Sequence, residues 1–149
     1  TLLSMIGLFN IFGTLTSGYL STKLSKKLVL SSIYFMRGVV IVLFIFLPPS
    51  PTLAVLFGIT FGFLWLATVP PTAGLVSFIF GTKYMGLLYG IVFLSHQVGS
   101  FFGAYLGGVF KEVYGSYDYA WYVSIALSFF AGLIHLPIKE KQVKRLQTA

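Results

Sequence analysis

Five apolar runs separated by short polar breaks organise the chain, over about 2–20, 28–47, 53–80, 85–110 and 119–138. A bilayer core about 30 Å thick is crossed by about 20 apolar residues rising 1.5 Å each, and each run meets that length. The punctuation is compact. Ser21 to Lys27 closes the first run, Pro48, Pro49 and Pro51 the second, Lys111 and Glu112 the fourth, and a charged stretch from Lys139 follows the fifth. The runs are continuously apolar, without the in/out alternation of barrel strands. The pattern therefore predicts an all-α membrane protein of five transmembrane helices, each satisfying its own backbone polar groups. Residues 1–138 form one transmembrane segment and 139–149 a basic tail.

Composition sharpens the class. The chain is 57% hydrophobic and only 9% charged, against roughly 25% charged in soluble domains, so it cannot clothe itself for water. Cysteine is absent, which removes disulfides, thiolate metal sites and thiol nucleophiles. The acidic residues Glu112, Asp118 and Glu140 all lie at span ends or in loops. No carboxylate pair, His-x-x-x-His motif or phosphate-binding loop supports an enzyme, a metal site or a cofactor. The net charge of +7 comes without the aromatic-interleaved basic face of nucleic-acid binders. The expected partners are the lipid bilayer and a small-molecule solute, with no nucleic acid.

The placement of the basic residues gives an orientation. Lys23, Lys26, Lys27, Lys83, Lys139, Lys141, Lys144 and Arg145 fall on one side, and Lys111 on the other beside Glu112 and Asp118. This bias predicts a cytoplasmic C-terminus and puts Thr1 outside. The chain opens within an apolar run that lacks a charged n-region, so the first run reads as a span rather than a signal peptide. A fragment missing upstream helices is the expectation. Tyr114, Tyr117, Tyr119, Trp121 and Tyr122 suit an interfacial aromatic belt.

Several polar or special residues interrupt the spans. Arg37 sits mid-span, where lipid exposure would cost about 2.5–3.5 kcal/mol or more. Its expected partner is a backbone carbonyl, a polar side chain such as Asn10, a missing segment, or an anionic substrate. Pro70 and Pro71 break the third run, freeing the carbonyls of Leu66 and Ala67. Irregular backbone at that depth is tolerated only inside protein or beside a cavity, and Trp65, Thr68 and Thr72 flank the break. A packing kink and a hinge at a transport site are both open readings. In the fourth run Ser95, Gly99, Gly103 and Gly107 form a stripe fit for close helix packing. His96, Gln97 and Ser100 lie beside it, as interhelical hydrogen-bonding groups or as contacts to a solute. His135, near the end of the fifth run, reads as interfacial.

Two segments resemble the major facilitator superfamily. Gly18-Tyr19-Leu20-Ser21-Thr22-Lys23-Leu24-Ser25-Lys26-Lys27 is similar to its cytoplasmic loop signature, through Gly18, Ser21, Lys23, Lys26 and Lys27, with Thr22 in place of the acidic residue and Ser25 in place of a glycine. Phe80-Gly81-Thr82-Lys83-Tyr84-Met85-Gly86, then Tyr89-Gly90, Phe93 to Phe101 and Gly107-Gly108, resembles the tenth-to-eleventh helix region of bacterial monocarboxylate and oxalate/formate carriers. The resemblance implies helices eight to twelve of a twelve-helix carrier in the bacterial inner membrane, working by alternating access with the missing N-terminal helices of the same carrier. It favours Trp65, Thr68, His96 and Gln97 as cavity residues over Arg37. The implied function is secondary transport of a small solute, an organic anion being one candidate. The competing expectation is a non-transporting membrane scaffold or a degenerate gene remnant.

Overall fold

The computed structural model describes residues 2–143; Thr1, Lys144 and Arg145, which entered the orientation argument, lie outside them. Six helical segments follow one another: α1 (Leu2–Lys23), α2 (Lys26–Phe46), α3 (Pro51–Trp65), α4 (Val69–Phe80), α5 (Met85–Tyr114) and α6 (Asp118–His135). There is no strand among the described residues. Taking α3 and α4 as one rod, Pro51–Phe80, four helices are long and apolar enough to cross a membrane. The 18-residue α6 falls short on apolarity because it begins at Asp118 and ends at His135. It nevertheless lies along α2 from end to end.

Local chemistry sets the boundaries. Ser50 accepts the Leu53 N–H at 3.1 Å and Pro51 takes the first helical position, where a missing donor costs nothing. Gly115 closes α5 in the left-handed region (φ 72°), its N–H on the Lys111 carbonyl, a conformation that favours glycine. Lys111 Nζ returns to the Gly115 carbonyl at 2.7 Å, a cation at the negative end of a helix.

Two helix pairs carry the packing. The first is α1 against α3, which run parallel: Leu2 lies beside Gly58, Ile6 beside Gly62, Asn10 beside Leu66. A Cβ on Gly62 would come within 2.6 Å of Ile6 Cα, and one on Gly13 would strike the Phe63 carbonyl. Gly58-x-x-x-Gly62 is thus the small-residue face that brings the two backbones together. The second pair is α2 against α6, antiparallel: Lys27 meets Leu136, Ser31 Oγ donates to the Gly132 carbonyl at 2.8 Å, Phe35 meets Phe129, and Phe44 meets Trp121. A small core of Val29, Ile33, Leu64 and Ala67 joins the two pairs.

No residue of α5 is buried. The space beside Gly86, Gly90, Gly99, Gly103, Gly107 and Gly108 is open.

Candidate functional site

The third span divides at residues 66–68, and polar side chains from both neighbouring helices attend the division. From α2, Arg37 Nη2 donates to the carbonyl of Leu64 at 2.6 Å and to that of Trp65 at 2.9 Å. From α1, the Asn10 Oδ1 accepts the Leu66 N–H at 3.0 Å. Val69 N–H turns back to the Leu66 carbonyl at 3.0 Å. The orphan acceptors at the end of α3 and the donor that follows them are therefore both satisfied from outside the span.

The prolines lie just beyond the gap. Pro70 and Pro71 occupy the first turn of α4, where backbone N–H groups need no intrahelical acceptor. The carbonyls that require external donors are accordingly those of Leu64 and Trp65, two residues before the pair expected from proline spacing alone. Pro71 is fully buried, and Pro70 lies next to Gly18, where an added Cβ would sit 3.6 Å from the proline Cβ. The loop signature on α1 thus continues directly onto the second half of the broken span. Ser21, within that signature, is buried with its hydroxyl on the Ser17 carbonyl at 2.6 Å.

Arg37 stands at the C-terminal, negative end of α3, where a cation is favoured by the helix dipole. Its guanidinium lies over the Tyr34 ring at 5.4 Å, and Tyr34 stacks on His135 of α6. The His135 Nδ1 sits 2.6 Å from the Ala131 carbonyl. Among the described residues no carboxylate neutralises Arg37, and its buried Nε has no hydrogen-bond partner. The charge is met by peptide dipoles and the Tyr34 ring. Asn10 and Arg37 were visible in the sequence; the peptide groups they serve, an N–H for Asn10 and two carbonyls for Arg37, were not, because those belong to a helix end whose position the prolines only approximate.

The remaining expected site residues divide by location. Thr68 and Thr72 are half-buried beside the break, with Thr72 Oγ1 on the Thr68 carbonyl at 2.7 Å, and Trp65 is 49% exposed. His96, Gln97 and Ser100 lie on the exposed surface of α5, apart from this cluster. Ser100 Oγ bonds the His96 carbonyl and Ser95 Oγ that of Val92, each within its own helix. A cavity of about 360 Å³ lies between α1, α2 and α3, bounded by Gly13, Ser17, Ile33, Met36, Phe63 and Ala67. Its walls are almost wholly apolar, so it offers an ionic solute nothing to pair with. Among the described residues no group of His, Cys, Asp or Glu could hold a metal ion.

The sequence profile of the Major Facilitator Superfamily matches residues 1–148. An uncharacterized MFS-type transporter of Bacillus subtilis (strain 168), YcxA, is similar to the chain, 29% identical over 149 residues that cover 95% of this chain and 36% of that protein. The chain therefore spans little more than a third of that relative's length. No solved structure matches it.

Proposed function

The chain belongs to the Major Facilitator Superfamily, and from that premise we propose that it forms part of a secondary transporter that moves a small organic anion by alternating access. The observation that carries this reading is the bracketed break. A span interrupted at membrane depth, with its backbone groups held by Asn10 and Arg37, is a joint at which α3 and α4 can change their mutual angle without exposing bare peptide groups to lipid. Charge supports the solute class. Arg37 lies within a span, and Glu112, Asp118 and Glu140 all lie outside the apolar runs. An anionic solute meets a complementary charge here, whereas a cationic one meets none.

Membrane orientation belongs to the same proposal. Lys26 lies over Phe78 at 5.0 Å, and Val143 bonds Ile79, so the starts and ends bearing Lys23, Lys26, Lys27, Lys139 and Lys141 share one face. We place that face in the cytoplasm, as the positive-inside bias requires. The open glycine stripe of α5 is the surface on which helices from the rest of the carrier pack, with Ser95, Gly99, Gly103 and Gly107 in the contact.

Uptake into proteoliposomes by the complete carrier containing this chain tests the reading. Saturable uptake of a mono- or dicarboxylate, lost in Arg37→Gln and partly kept in Arg37→Lys, is the expected result. Movement of neutral sugars with no carboxylate uptake would overturn the solute class.

A further inference from the structure

The segment after α6 does not leave the bundle. Lys27 Nζ donates to the Leu136 carbonyl at 3.0 Å as the chain turns out of α6. Glu140 Oε1 then accepts the backbone N–H of Lys27 at 2.6 Å and the hydroxyl of Ser25 at 2.7 Å. Val143 donates its N–H to the Ile79 carbonyl at 2.8 Å, in the last turn of α4. A strap of eight residues, 136–143, thus runs from the end of α6 over the start of α2 to the end of α4.

The start of α2 needs what the strap delivers. Its first turn holds Lys26 and Lys27 and no acidic residue, and Ser25 at the N-cap makes no side-chain capping bond within the helix. Unpaired N–H groups and the positive end of the dipole therefore face two ammonium groups, the unfavourable sign. Helix caps are ordinarily supplied by neighbouring residues. Here the acceptor and the negative charge come from 113 positions along the chain, so the cap exists only while the strap lies in register.

We propose that residues 136–143 are a latch that holds α4, the half-span beyond the break, against the α2–α6 pair, with Glu140 as its positioning residue. Swinging α4 about residues 66–68 either breaks the Val143–Ile79 bond or drags Glu140 from the start of α2. The latch thereby favours the arrangement in which both ends are engaged. Its consequence for transport rests on the proposed function, but the latch itself is measurable without any solute.

The chain has no cysteine, so spin labels at Thr82→Cys and Gln142→Cys report on the α4–strap distance in the full chain in lipid bilayers. One narrow distance distribution is expected. Glu140→Ala should broaden it toward longer distances. Val143→Pro, which removes the N–H to Ile79 while leaving α2 untouched, should do the same. A distribution as narrow as the parent's in both variants would overturn the latch, and one kept only in Glu140→Ala would overturn the role of that carboxylate. A carrier that proved to move no anion would leave these outcomes unchanged.

Discussion

Arg37 holds Trp65 by its backbone, Nη2 to carbonyl oxygen at 2.9 Å, and the same nitrogen takes the preceding carbonyl of Leu64. Replacing Arg37 by Met leaves both acceptors without a donor. A peptide group left without a partner away from water costs about 1–3 kcal/mol, so Arg37→Met should lower the thermal unfolding temperature in detergent clearly, and Arg37→Lys should recover part of the loss. Equal stability of Arg37→Met and the parent would show that the bonds contribute nothing.

Asn10 serves the next peptide from the opposite side, through the Leu66 N–H. Asn10→Leu should cost about 1–3 kcal/mol on the same argument. Because both side chains act on one helix end, their effects should be coupled. A double-mutant cycle with Arg37→Met is expected to show an interaction of about 0.5–3 kcal/mol; strict additivity would mean that the two act independently.

The helical architecture was legible in the apolar runs because a membrane span must satisfy its backbone internally and so writes its length in composition. The packing was less legible. Two small-residue patterns are present, Gly58-x-x-x-Gly62 and the longer stripe through Gly99, Gly103 and Gly107. The longer one is the more conspicuous in the sequence, yet within this chain the shorter one makes the contact. Spacing shows that a face is flat, but not which flat face has a partner. Glu140 was legible only as a charge near a span end, since its role depends on the start of a helix 113 positions earlier.

The two glycine patterns make opposite predictions. Gly62→Ala would drive its methyl to 2.6 Å from Ile6 Cα, a backbone contact that cannot yield, and should destabilise the chain by about 1–3 kcal/mol. Gly103→Ala meets open space and should be neutral or gain about 0.5–1 kcal/mol from the reduced freedom of the unfolded chain. In the complete carrier, Gly103→Leu should instead impair assembly. Comparing unfolding temperatures of the two alanine variants checks the contrast, and a Gly62→Ala chain no weaker than Gly103→Ala would contradict it.

Acid should release the strap. Partial burial pushes the Glu140 carboxyl up, but the Lys27 N–H, the Ser25 hydroxyl and the charges of Lys26 and Lys27 outweigh it and hold the group below its usual range. The groups facing it are Ser25, at the N-cap of α2, and Lys26 and Lys27 in the first turn of that helix. A depressed carboxylate stabilises the fold fully above its ordinary range, and the contribution is lost as pH falls through the depressed value. The distance between labels at Thr82→Cys and Gln142→Cys should therefore stay fixed at neutral pH and lengthen in acid. The acid transition should be absent from Glu140→Gln.

The parallel course of α1 and α3 has a consequence for biosynthesis. Parallel neighbours cannot be consecutive, so a returning span must be threaded before their glycine contact can close. Leu66 follows Asn10 by 56 residues, a delay of roughly 3–11 s at ribosomal speeds of about 5–20 residues per second. Throughout that interval neither Asn10 nor Arg37 has the peptide groups it holds in the fold. The end of α3 can be held from both sides only once α1, α2 and α3 are all in place.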